Sequence, residues 1–172
     1  MLPLKSDRQS LYDTDYLQWI KTTVEKLHSR DYENVDWDNL IEEIEDMGRS
    51  EQRSLESNLI VLLLHLLKWQ YQPERRSGSW EASMIEHRRR IKKALKESPS
   101  LKPYLESIFS ESYIEAVKQA KAESRGKNRV GVPPTPPELF KTAETGLPLE
   151  TFPLQCGYEL AALLDDQFLP LP

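Results

Sequence analysis

The sequence predicts an all-α protein: a helical bundle of about four to five helices, finished by an extended, proline-rich C-terminal strap and a short terminal helix. Three observations predict it. Apolar residues recur every three or four positions from Leu17 to Val117, without sustained strand alternation. The run Leu59 to Leu67, broken only by His65, is apolar around more than half a helix's girth, which calls for a central place in a bundle. Glycine and proline fall mostly between the periodic runs, where helices stop and start.

Taken in order, Asp13 and Thr14 are capping residues for a first helix carrying Leu17, Ile20, Val24 and Leu27 at helical spacing. A break over Ser29 to Val35 precedes a second helix, capped by Asp36, with Trp37, Leu40, Ile41 and Ile44 on one side. Gly48 is read as its stop or a kink. The central helix is placed at about Ser50 to Trp69 and is ended by Pro73. Ser77, Gly78 and Ser79 turn into a fourth helix with Trp80, Met84, His87, Ile91 and Leu95 inward and Arg88, Arg89, Arg90, Lys92 and Lys93 crowding its remaining surface. A fifth helix starts at Ser100, tolerates Pro103 in its first turn, and fades at Gly126. Gly126 to Pro137 reads as extended linker. Short helical pieces are expected at Glu138 to Thr145 and Tyr158 to Asp165, with Gly146 to Leu149 and Phe152-Pro153 strapped over the bundle between them. Residues 11–125 thus form the bundle core and 126–172 the linker and strap, as a single domain.

Composition bounds the function. The chain has 172 residues, 38% of them hydrophobic and 30% charged, with a formal net charge of -5. That charge repels nucleic acid and anionic membrane, so a phosphate-bearing partner would need a local basic patch. The one cysteine, Cys156, permits no intramolecular disulfide and suits a reducing cytosol. The start Met1-Leu-Pro-Leu-Lys lacks the apolar centre of a signal peptide, and Leu59 to Leu67 falls short of the ~20 residues of a membrane span. The expectation is a cytoplasmic protein, with no membrane partner.

Three groups of residues are candidates for chemistry. Glu42, Glu43, Glu45 and Asp46, followed by Glu51, place carboxylates at i, i+3 and i, i+4, which suits a hard metal ion or a general base. The same pattern also describes a solvated acidic helix face. Asn58, His65, Lys68 and Gln72 form a polar line on the Leu-rich helix, to be hydrogen-bonded inside the bundle or to face a groove. His65 then acts as metal ligand, acid/base or phosphate contact, or is a buried histidine satisfied by its neighbours. Lys68, Arg75, Arg76 and the block around Arg89 suit a bidentate clamp on phosphate or carboxylate, or else pair with acids of the same molecule. The metal candidates are Glu42, Glu45 and His65, and no motif names a cofactor.

The runs Asn39-Leu-Ile-Glu-Glu-Ile-Glu-Asp-Met-Gly-Arg-Ser-Glu, Leu63 to Ser77, and Ser79-Trp80 with Arg88 to Arg90 resemble an uncharacterised bacterial family, the domain of unknown function numbered twenty-nine. The likeness begins near Leu11 to Asp15 and resumes with Gly146-Leu-Pro and from Phe152 to Asp166. It implies an all-helical bundle and carries no activity or site residue with it. The stretch from Ser124 to Lys141 looks longer than is typical of that family.

Two functions compete. One is a cytosolic binding or regulatory module presenting a charge-segregated bundle face to a macromolecule, above all another protein. The alternative is a metal-assisted phosphoester hydrolase or nuclease-like enzyme in which Glu42, Glu45 and Glu51 supply carboxylates, His65 an acid/base and Arg75, Arg76 or Arg89 the phosphate contacts. Direct nucleic-acid binding is disfavoured by the net charge.

Overall fold

A computed structural model of the chain describes residues 10–126, 152, 153 and 155–171. The proline run, the expected helix at Glu138 to Thr145 and the strap at Gly146 to Leu149 lie outside the described residues. Six α-helices, α1 (Leu11–Thr14), α2 (Tyr16–Ser29), α3 (Trp37–Tyr71), α4 (Gly78–Glu97), α5 (Leu101–Gly126) and α6 (Leu160–Leu163), make up the described chain with two short 3-10 turns, Tyr32–Asn34 and Pro73–Arg75, and no strand. The chain divides into two compact units, Met1–Ser50 and Glu51–Pro172, with the boundary inside α3.

Gly48 does not stop the helix: α3 is continuous over 35 residues. A lone glycine costs only about 1 kcal/mol against alanine, too little to end a helix whose flanking turns are well formed. Arg49 adds bonds across that turn, to Asp46 at 2.7 Å and Glu45 at 3.2 Å.

The first unit is a hairpin of α2 and the start of α3. The cap of α2 is Asp15, whose carboxylate accepts the Gln18 N–H at 3.0 Å; Asp13 and Thr14 belong to α1 instead. Arg30, at φ 62°, ends α2 in the left-handed region. Trp19 Nε1 donates to Asp36 at 3.1 Å, while the Tyr12 and Tyr16 hydroxyls both donate to Glu43 at 2.7 Å. As the number rises on α2 its partner's falls on α3, so the two run antiparallel. Among the described residues of this unit, only Trp19, Thr23 and Val35 are buried.

The second unit is built on the leucines. Leu55, Leu59, Leu62, Leu63, Leu66 and Leu67 are almost wholly buried and join Met84, Ile91, Leu105, Tyr113 and Val117 in one core. Asn58 meets His87 and Lys68 meets Trp80, so α4 runs against α3; Lys68 and Gln72 meet Glu123 and Ser124 near the end of α5, which runs along it. The C-terminal segment docks on this bundle through buried Phe152, Leu163 and Pro170. Its expected helix at Tyr158 to Asp165 is reduced to Leu160–Leu163.

Arg88 was expected among the outward basic residues of α4, and it is buried instead, 1% exposed. Its Nε donates to the Leu163 carbonyl at 2.7 Å and its Nη2 to the Phe168 carbonyl, so the guanidinium satisfies backbone acceptors of the docked tail. The inward stripe of α4 is therefore Trp80, Met84, Arg88 and Ile91. Arg88→Met keeps the stem but strands two carbonyls in apolar surroundings, and should lower stability by about 3 kcal/mol in urea titration. Lys92→Ala, which removes only an exposed pair with Asp166, should cost under about 0.5 kcal/mol. Equal costs would contradict the clamp.

Candidate functional site

The polar line of α3 splits into two sites within the second unit. At the first, Asn58 accepts no role at a metal: its Oδ1 lies 2.7 Å from His87 Nδ1 and its Nδ2 donates to the Ser54 carbonyl at 2.6 Å. This pair borders an open groove of about 430 Å³ between α3 and α4, lined by Glu51, Ser54, Asn58, Arg89, Arg90 and Lys93. The cations there are largely spent on their own helix. Arg89 grips Glu86 through Nε at 2.8 Å and Nη2 at 2.9 Å, Arg90 reaches the same carboxylate at 2.8 Å, and Lys93 faces Glu97 at 3.7 Å. Those two guanidinium groups hold the Glu86 carboxyl down at about 2.

The second site is small, with a buried ammonium and a half-exposed carboxylate. Lys68 is buried, lies 4.5 Å from the centre of the Trp80 ring, and donates to Glu123 at 2.6 Å. Gln72, also buried, donates to Ser124 at 2.9 Å. With Arg75 these residues border a cavity of only about 10 Å³, room for no ligand larger than a water. His65 sits beside this cluster, half-buried against Trp80, with Nδ1 unpartnered among the described residues. Burial, reinforced by the Lys68 charge, pushes its pKa down to about 4, so it is a neutral imidazole at neutral pH. Arg76 stacks on Trp69, 5.0 Å from the ring centre, and donates Nε to the Trp69 carbonyl at 2.9 Å. Arg75 and Arg76 are both partly buried, and the Nη2 of Arg76 has no hydrogen-bond partner among the described residues.

Of the named candidates, then, Glu51, Asn58 and Arg89 share one groove, Lys68 and Arg75 another place with His65 nearby, and Arg76 is engaged separately. In the first unit Glu45 is tied to Arg49, and Glu43 holds the tyrosines, raising Tyr12 to about 12 through its hydrogen bond. Glu42 is exposed. No three His, Cys, Asp or Glu side chains gather as a metal ion requires among the described residues.

What the polar candidates do not supply, the first unit does. The apolar residues of α2 share one side as expected, but that side is exposed: Leu17 69%, Ile20 36% and Val24 45%. On α3, Trp37, Ile41 and Ile44 are likewise exposed, at 45%, 52% and 59%. The contact line of this hairpin is made by Tyr16, Trp19 and Glu43, hydrogen-bonding groups, which leaves the aliphatic stripes facing out. On each helix the stripe lies about a quarter turn beyond that line in the direction of increasing residue number. Reversing a helix mirrors its sense of rotation, so in an antiparallel pair both stripes come to the same side. The signal was present in the sequence; its periodicity marks a face without telling what covers it.

The fold and these sites define an all-α protein with a leucine-cored bundle, an acidic hairpin with an apolar side, and no gathered catalytic set among the described residues. No described helix is long and apolar enough to cross a membrane. The chain belongs to the family described as Domain of unknown function DUF29, whose model matches residues 11–169. No curated protein and no solved structure matches it.

His65 gives this geometry a pH signature. An unfolded imidazole titrates near 6.5, while the folded one stays unprotonated until about 4. The stability it contributes is fully present above the unfolded value and is lost as pH falls toward the folded one. Urea titrations should lose about 1–2 kcal/mol between about pH 7 and pH 5. His87, shifted down by burial too, adds in the same direction, so His65→Phe should flatten the slope without abolishing it. An unchanged slope in that variant would contradict the burial argument.

Proposed function

We propose that this protein is a protein-binding module, and that the apolar side of the α2–α3 hairpin receives a helix of another protein. The observation that carries this reading is the exposure of Leu17, Ile20, Val24, Ile41 and Ile44 together on one side of a unit with only three buried residues among those described. Full burial of such a side chain is worth about 1.5–3 kcal/mol, so a contiguous set of them is a large unused driving force. Two antiparallel helices leave a furrow between them, and a third helix is the element whose ridges fill it. This differs from the basic face that the sequence suggests, because Arg89, Arg90, Lys92 and Lys93 all have partners within the second unit. The phosphoester-hydrolase alternative has less to stand on, since within the second unit Glu51 and Arg89 line one groove while Arg75 and Lys68, with His65 nearby, lie at another place.

A photo-crosslinking residue at Ile20 or Ile44 tests it in the producing cell. Both positions should yield a discrete adduct with another protein, and Ile85 on α4 and Ile114 on α5, which are equally exposed, should not. Adducts with equal yield from all four positions, or none from the hairpin, would contradict the reading.

A further inference from the structure

We infer that the helix received by the α2–α3 hairpin is amphipathic and basic, with Lys or Arg on the flank that lies along α3. The inference rests on the protein-binding reading and adds the chemistry of the partner.

Charge is distributed unevenly along the chain. Residues 1–50 hold 12 acidic and 6 basic side chains, while the other 122 hold 16 acidic and 17 basic. The whole net negative charge therefore belongs to the unit that carries the apolar side. The acids are also placed to matter. On α3, Asp38, Glu42 and Glu45 follow the exposed stripe of Trp37, Ile41 and Ile44 by roughly a further quarter turn, so they edge it. All three are exposed. Glu45 shares Arg49 with Asp46, whereas no cation is within ion-pair distance of Asp38 or Glu42 among the described residues. The opposite edge, on α2, is mixed, with Lys21 and Glu25. The groove thus has an apolar floor, one acidic bank and one neutral bank.

A partner helix that fills it needs an apolar stripe for the floor and cations toward the acidic bank. A second copy of this chain fits poorly: it would set 12 acids and 6 bases against an identical set, like charge against like. An anionic lipid surface is repelled for the same reason. The cations of the partner add specificity and association rate, and the aliphatic contacts supply most of the affinity.

The probe is a fluorescent synthetic helix of roughly 18 residues, about five turns, with leucines in one stripe and Lys and Arg flanking it. Two companions share its length: one has Glu and Asp in place of the cations, and one keeps the basic composition with the stripe scrambled. With the full-length protein, anisotropy should show the basic amphipathic probe binding at least about tenfold more tightly than either companion, a difference of about 1.4 kcal/mol. Ile41→Ser together with Ile44→Ser should weaken it at least about tenfold. Asp38→Asn together with Glu42→Gln should weaken it about threefold or more and reduce its salt dependence. Because both pairs of positions are exposed, circular dichroism and thermal midpoints should stay near those of the wild type. As a second measurement, probe-induced NMR shifts should concentrate on Ile20, Val24, Ile41 and Ile44 and spare the second unit.

Equal binding of the acidic probe or the scrambled one would overturn the inference, as would shifts confined to α4 or α5. So would light-scattering evidence that the protein self-associates through Ile41 and Ile44. Any of these results, with hairpin photo-adducts still formed to another protein, would discard the basic helix while leaving the binding-module reading standing. Absence of those adducts would remove both.

Discussion

Leucine burial on one continuous helix sets the terms for everything else in this protein. From Leu55 to Leu67, α3 is enclosed by α4, α5 and the docked C-terminal segment, and its apolar side chains leave water almost completely. Before Ser50 the contacts of the same helix with α1 and α2 are made by tryptophan and tyrosine hydrogen bonds. Such bonds contribute on the order of 1 kcal/mol each, modestly more to a carboxylate, and they direct rather than drive folding. A unit of this size with three buried residues among those described cannot hide its aliphatic side chains by itself. Its exposed side is the consequence, and the binding reading follows from it.

The second unit shows the opposite balance. Three of its buried polar residues have specific partners: Arg88 caps the carbonyls of the tail, Lys68 is held between Glu123 and the Trp80 ring, and Gln72 finds Ser124. These are expensive groups to bury, and each is compensated by a geometrically specific partner. That pattern fixes register among helices whose leucines alone would tolerate sliding. Arg88 and Arg89, which the sequence sets among the basic residues of α4, are held in the same way, while His65 keeps an unpartnered Nδ1 among the described residues.

Helix existence, order and the central place of the Leu-rich segment were legible in the sequence because 3.6-residue periodicity reports them directly. Gly48 misled because glycine weakens a helix by an amount that neighbouring turns absorb. Arg88 was placed outside because of its charge, and spacing offered no correction: His87 fits the helical interval of Trp80, Met84 and Ile91 at least as closely as Arg88 does. The stripe of Leu17, Ile20 and Val24 was legible as a stripe; its exposure was not, since periodicity is the same for a face covered by its own chain and one awaiting another. The hydrogen bonding of Lys68 and Gln72 depends on Glu123 and Ser124, more than fifty positions away, and no local pattern announces such a pairing.

Residue-resolved hydrogen exchange along α3 tests the central claim most directly, because one helix then serves as its own control. The account predicts a sharp step near Ser50: amides from Leu55 to Leu67 exchanging only with global unfolding, and those from Leu40 to Met47 exchanging orders of magnitude faster. Uniform slow exchange from Trp37 to Tyr71 would show that the hairpin is already as well buried as the leucine core, and would contradict the account.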